Sequence, residues 1–135
     1  MAEKFVSYLK VVSSSATTEP QKQIVPFGVS GNNTVPVDVE GQGNNVRTIG
    51  ATVVINGLYI TSNVANQDNN ISLYITDSTY PNRKIYVIRN IAVPVGVSFF
   101  LERAITLGTT QGLFLELSGS NKTMHASASC IEITN

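Results

Sequence analysis

Residues 51–134 are a succession of short apolar runs cut by polar turns: ATVVINGLYI, NISLYIT, KIYVIRNIAV, GVSFFLERAITL, GLFLELS and KTMHASASCIEIT. In two of them the alternation is clear. Ile71, Leu73 and Ile75 alternate with Ser72, Tyr74 and Thr76, and Leu113, Leu115 and Leu117 alternate with Phe114, Glu116 and Ser118. A period of two puts successive side chains on opposite faces of a strand. No segment carries the 3.6-residue period of an amphipathic helix. The chain is therefore restricted to an all-β fold, and 135 residues suit one antiparallel β-sandwich with a real core. An immunoglobulin-type sandwich would bring a buried Trp and a Cys pair. With no Trp and a single Cys, the expected architecture is jelly-roll-like.

The pattern also assigns a core. Val54, Leu58 and Ile60 open it, with a bulge or bend at Asn56 and Gly57. Ile71, Leu73, Ile75, Val87, Leu113, Leu115 and Leu117 are expected to be mostly buried. The nearly continuous apolar run at residues 85–88 reads as a central strand, and residues 77–83 read as the loop before it. In the last run, Met124, Ala126, Ala128 and Cys130 share one face, while Ile131 and Ile133 fall out of phase. Keeping the apolar side inward there calls for a bulge near Cys130.

The chain divides near residue 50, giving a sandwich domain at 51–135 and an N-terminal segment at 1–50. That segment holds one strand-like run, residues 5–12. A Ser/Thr-rich stretch follows, then a stretch punctuated by Pro and Gly in which Val35, Val37 and Val39 alternate with Pro36, Asp38 and Glu40. We read residues 1–50 as an extended arm or peripheral strands, since their apolar residues are too many for a solvated linker. Phe5, Tyr8, Val25, Phe27, Val35 and Val37 are the candidate contacts with a neighbouring chain. Phe99 and Phe100 join them, because adjacent residues of a strand cannot both face the core.

Composition removes whole classes of function. Charged residues are 13%, nine basic against nine acidic, for a net charge of zero. No cationic stripe exists to track phosphates, so nucleic acid is not an expected partner. No apolar stretch is long enough for a membrane-spanning helix. Glu3, Lys4, Ser7 and Lys10 interrupt any apolar core of a leader peptide, which points to synthesis in a cytoplasm. His125 is the single histidine and is expected outward with Ser127 and Ser129. Cys130, the single cysteine, reads as a small core hydrophobe. One His and one Cys make no zinc site, the Asp and Asn residues near position 68 match no calcium loop, and no nucleophile elbow is present. We assign no catalytic residue, cofactor or metal ligand. The one recognition feature in the residue types is aromatic: Tyr74 and Tyr80 could form a platform for a glycan.

Three segments resemble small virion structural proteins of tailed bacteriophages, of the kind found in cyanobacterial and marine phages. TIGATVVINGLYITSNVAN is similar to their opening strand. KIYVIRNIAVPVGVSFFL, with Pro94, Gly96 and Ser98, is similar to a strand–turn–strand signature of theirs. AITLGTTQGLFLELSGSNKTMHASASCIEIT resembles their closing strands, although Thr109, Thr110 and Gln111 stand where an acidic residue commonly precedes the penultimate turn. The resemblance implies a non-enzymatic part of a virion, made in the host cytoplasm: a capsid decoration or cement protein, or a neck or tail accessory protein. Its partners would be other virion proteins and itself. The alternative is a carbohydrate-binding sandwich used in host-surface recognition.

Overall fold

The computed structural model describes residues 2–13, 21–35, 46–62, 69–94, 97–118 and 123–135. It is all-β, with two packed antiparallel sheets. The strands are β1 (Ala2–Ser13), β2 (Gln21–Val25), β3 (Thr52–Ser62), β4 (Asn69–Asp77), β5 (Tyr80–Val93), β6 (Ser98–Leu101), β7 (Ile105–Leu107), β8 (Gln111–Ser118) and β9 (Thr123–Thr134). The first sheet has the order β1-β9-β3-β6, with β7 also on β3, and the second has β2-β8-β4-β5. Both β6 and β7 run antiparallel to β3. Taken as one interrupted strand, they complete the strand order of a jelly roll.

The core lies between the sheets. Val53, Ile55, Leu58, Ile60, Met124, Ala126, Ala128 and Cys130 come from the first sheet, and Ile24, Val25, Ile71, Leu73, Leu113, Leu115 and Leu117 from the second. The expected core is largely in place, with two corrections. Val54 points outward and is only half-buried. A register shift between Ile55 and Gly57 leaves Asn56 as an extra residue, so the inward set changes phase from Val53 and Ile55 to Leu58 and Ile60. The same shift lies opposite Cys130 and Ser129. The bulge expected on β9 is therefore carried by β3, while β9 pairs with β1 in unbroken register.

The second correction concerns β5. It is the edge of its sheet, not a central strand. Ile85 is 62% exposed and Val87 36%, which removes Val87 from the core. Residues 77–83 are not one loop: a tight turn at Ser78 and Thr79 leads straight into β5. Asp77 holds this turn, accepting from the Thr110 hydroxyl (2.7 Å) and the Thr79 N–H (2.8 Å). β5 has 14 residues against 9 in β4, and their pairing absorbs the excess in three register shifts. Asn90, at φ 55°, sits between two of the paired segments.

Residues 1–50 contribute edge strands to both sheets. β1 pairs with β9 along its whole length, and β2 pairs with β8. β1 and β2 each end a sheet, and both lie on the sandwich, not off it as an arm. Tyr8, Ile24 and Val25 are fully buried, and Val35 is 3% exposed. Residues 46–51 are fastened by Arg47, which is also fully buried. Its guanidinium donates through Nη1 to the carbonyls of Pro26 (2.8 Å) and Gln111, and through Nη2 to those of Ala51 and Gly108 (both 2.7 Å). The planar fork of Arg suits this task, since it can serve several carbonyls at once without moving. Gly28 passes beside it, donating its N–H to Thr109 O at 2.8 Å. A Cβ there would lie 2.6 Å from that oxygen, so the close approach requires glycine.

Glu132 faces inward and is 2% exposed, where the alternation of β9 leaves no choice. The Tyr8 hydroxyl donates to its Oε1 at 2.9 Å. Burial and this bond push the Tyr8 phenol well above its ordinary range. Burial, aided by Glu132, pushes the neighbouring Cys130 thiol up to about 12. Both groups bind their protons more tightly folded than unfolded, so the stability they confer is complete at neutral pH and drains away as pH rises above 9. Each contributes a slope of up to about 1.4 kcal/mol per pH unit. We expect Cys130→Ala to flatten the loss of stability seen by urea denaturation between about pH 8 and about pH 10.5. Equal slopes in the two proteins would contradict the placement of this thiol.

Candidate functional site: the outer face of the first sheet

An antiparallel sheet with one side toward water ordinarily alternates apolar-in with polar-out. The outer face of the first sheet departs from this. The pairings arrange its outward residues in rows across β1, β9, β3 and then β6 or β7. One row is Phe5, Ile131, Val54 and Thr106. Ile133, beside Glu3 and Thr52, borders it. The next row is small and polar: Ser7, Ser129 and Gly57. Beyond it come Leu9, Ser127, Tyr59 and Phe100, and then Val11, His125, Thr61 and Ser98. The serine and glycine row thus separates two regions of different character.

The first region is apolar and open. Phe5 is 79% exposed, a high value for a phenylalanine on a sheet face. Ile131, Ile133 and Val54 around it are half-buried. Among the described residues no element covers this end of the face. A cluster of this kind loses free energy to water until another surface meets it.

The second region is concave. A hollow of about 340 Å³ is lined by Leu9, Lys10, Tyr59, Thr61, His125, Ala126 and Ser127. Tyr59 is half exposed and stacks on Phe100, with ring centres 4.6 Å apart and planes 26° apart. His125 is exposed, as its alternation with Met124 and Ala126 implied.

The candidate contact residues fall into separate groups. Phe5 and Phe100 are on the open face, and Phe100 is 43% exposed. Phe99 points the other way and packs, partly buried, against the core. Tyr8, Val25 and Val35 are corrected: they are core residues of their own chain and offer nothing to a neighbour. Phe27 is half-buried beside Phe114, at 6.1 Å between ring centres. Val37 lies outside the described residues. The aromatic platform of Tyr74 and Tyr80 is also corrected. Tyr80 is 54% exposed with Arg83 over its ring, but Tyr74 is 2% exposed. Phe114 stacks on Tyr74 at 5.2 Å, and the Lys84 ammonium sits 4.7 Å from its ring centre. Large side chains from both flanking strands close over that tyrosine, so it presents no surface for a sugar.

Leu9, Tyr59 and Thr61 were not singled out from the sequence, and Ser127 only as an outward neighbour of His125. The signal was nevertheless present. β1 and β3 are apolar on both faces through FVSYLKVV and TVVINGLYI. Only one of those faces can meet the other sheet.

No protein-family model matches the chain, and no curated protein matches it in sequence. The fold, in contrast, is similar to solved viral structures. A chain of the T13 IBDV viral particle superposes with a TM-score of 0.53 at 11% identity, over 98% of this chain and 31% of that one. A chain of the infectious bursal disease virus Gx strain gives 0.51 at 10% identity, over 97% of this chain and 31% of that one. At such identities the likeness is one of fold. This chain spans less than a third of the length of either.

Proposed function

We propose that the protein is a non-enzymatic structural component of a virus particle, acting through contacts with other virion subunits and with copies of itself. The observation that carries this is the open apolar end of the first sheet, centred on Phe5 at 79% exposure. Support comes from the jelly-roll likeness to chains of viral particles and from the low, balanced charge. Repetition of modest face contacts under symmetry gives a particle its cohesion, so no single contact needs to be strong. The resemblance of residues 49–134 to tailed-phage proteins narrows the proposal to a capsid decoration or cement protein, or a neck or tail accessory protein.

Sedimentation velocity tests the reading. The purified protein should show concentration-dependent association, and Phe5→Asp should leave a folded monomer at the same concentrations. Phe5 is exposed, so its replacement should change stability by less than about 0.5 kcal/mol. A wild-type protein that stays monomeric and binds no partner subunit would overturn the proposal. So would a Phe5→Asp protein that associates unchanged.

A further inference from the structure

The hollow beside Tyr59 has features that the apolar end of the face lacks. The strand order sets Phe100, Tyr59, Ser127 and Leu9 side by side. The hollow is lined by the last three and not by Phe100. Phe100 therefore backs the Tyr59 ring from the β6 side, and the hollow opens on the β9 side. The Tyr59 ring is thus a wall held in place by a stacked neighbour. One row further along, Thr61 and His125 stand directly opposite each other and also line the hollow. With Ser127, they bring two hydroxyls and an imidazole to a space bounded by Tyr59 and Leu9.

The charges are the second observation. Among the described residues, the lining holds no carboxylate. Among those residues the one Lys or Arg is Lys10, which is 1% exposed. A ligand for this space would be uncharged, with one apolar flat face and hydroxyls around its rim. A volume of about 340 Å³ lies at the small end of the range that holds small molecules.

We infer that this hollow binds one neutral saccharide unit, with a pyranose ring stacked on Tyr59 and its hydroxyls bonded to Thr61, His125 and Ser127. Hydroxyl-to-hydroxyl and hydroxyl-to-imidazole bonds fix the ring orientation, and the aromatic wall supplies the apolar contact. The site lies across the Ser7, Ser129 and Gly57 row from Phe5. It does not depend on the assembly reading, and a sugar can bind whether or not copies associate.

The test is titration of the isotope-labelled full chain with free D-galactose, D-glucose and N-acetyl-D-glucosamine, followed by amide shifts. Sialic acid and a sulfated disaccharide serve as charged controls. At least one neutral sugar should shift the amides of Tyr59, Thr61, His125 and Ser127 saturably. Tyr59→Ala should weaken this binding at least tenfold. Tyr59→Phe, which keeps the ring, should retain it, and so should Phe5→Asp, which addresses only assembly. The inference is overturned if no neutral sugar gives a saturable shift. It is also overturned if the charged sugars alone bind, if Tyr59→Ala binds as the wild type does, or if the shifts map away from the hollow.

Discussion

Replacing Arg47 with alanine is expected to unfold the protein or bring it to the edge of unfolding. Four carbonyls, those of Pro26, Ala51, Gly108 and Gln111, accept from this one side chain. Hydrogen bonds to a charged donor contribute about 1.5–3 kcal/mol each, and an abandoned buried acceptor carries its own penalty. Such terms do not add fully. Even so, a loss of at least about 4 kcal/mol is expected, against a typical total stability of about 5–15 kcal/mol. The cavity adds to this, because the site is closed to solvent. Arg47→Lys keeps the charge, but a single ammonium cannot replace a planar fork spread over four acceptors, so it should rescue little. Urea denaturation of the three proteins measures this. An Arg47→Ala protein within about 1 kcal/mol of the wild type would show that the carbonyls find water instead.

The second large effect is expected from removing residues 1–25. As a string of apolar runs, the residues after 50 look sufficient for a sandwich of their own. In the folded protein β1 pairs with twelve successive residues of β9, and β2 pairs with β8. Tyr8, Ile24 and Val25 are sealed in the core. Each such side chain contributes about 1.5–3 kcal/mol by burial alone. Deletion also exposes one edge of β9 and one of β8, both internal strands. The truncated chain should therefore lose its cooperative unfolding transition. A synthetic peptide of residues 2–13, supplied in trans, should restore part of it. If the truncated chain unfolds cooperatively at wild-type denaturant concentrations, the N-terminal strands are dispensable and an assembly arm becomes the better description.

How legible the fold was depended on which strands bury one face. β4 and β8 alternate cleanly, and their inward residues were assigned correctly. β3 and β9 were harder, because a single extra residue, Asn56, changes the phase of one strand against the other. The sequence offered Asn56 and Gly57 as a bulge, yet the bulge near the last strand was assigned to β9. A two-stranded irregularity cannot be apportioned to one strand from periodicity. β5 failed for a different reason. Its run of Ile85, Tyr86, Val87 and Ile88 has the composition of a buried strand, but its place at the sheet edge is a property of topology. The edge signals it does carry, Pro81, Arg83, Lys84 and Arg89, flank that apolar run and do not interrupt it. The same ignorance misplaced Tyr74. Alternation assigned it to the outer face, which is correct, but not that Phe114 and Lys84 would cover it. Arg47 had no signal at all, being one polar residue in an irregular stretch. The outer face of the first sheet could have been found, since β1 and β3 each carry two apolar faces and need two partners.

The irregular pairing of β5 bears on how copies of this protein can pile up. Sheets grow into ribbons and fibrils when a flat, evenly spaced row of N–H and C=O groups lies open at an end strand. Here the end strand of the second sheet is buckled three times against its neighbour and carries Pro81, Arg83, Lys84 and Arg89. An incoming copy of this strand would meet an uneven row and the cationic Arg83 and Arg89. Growth from that end is disfavoured, whatever contacts the faces make.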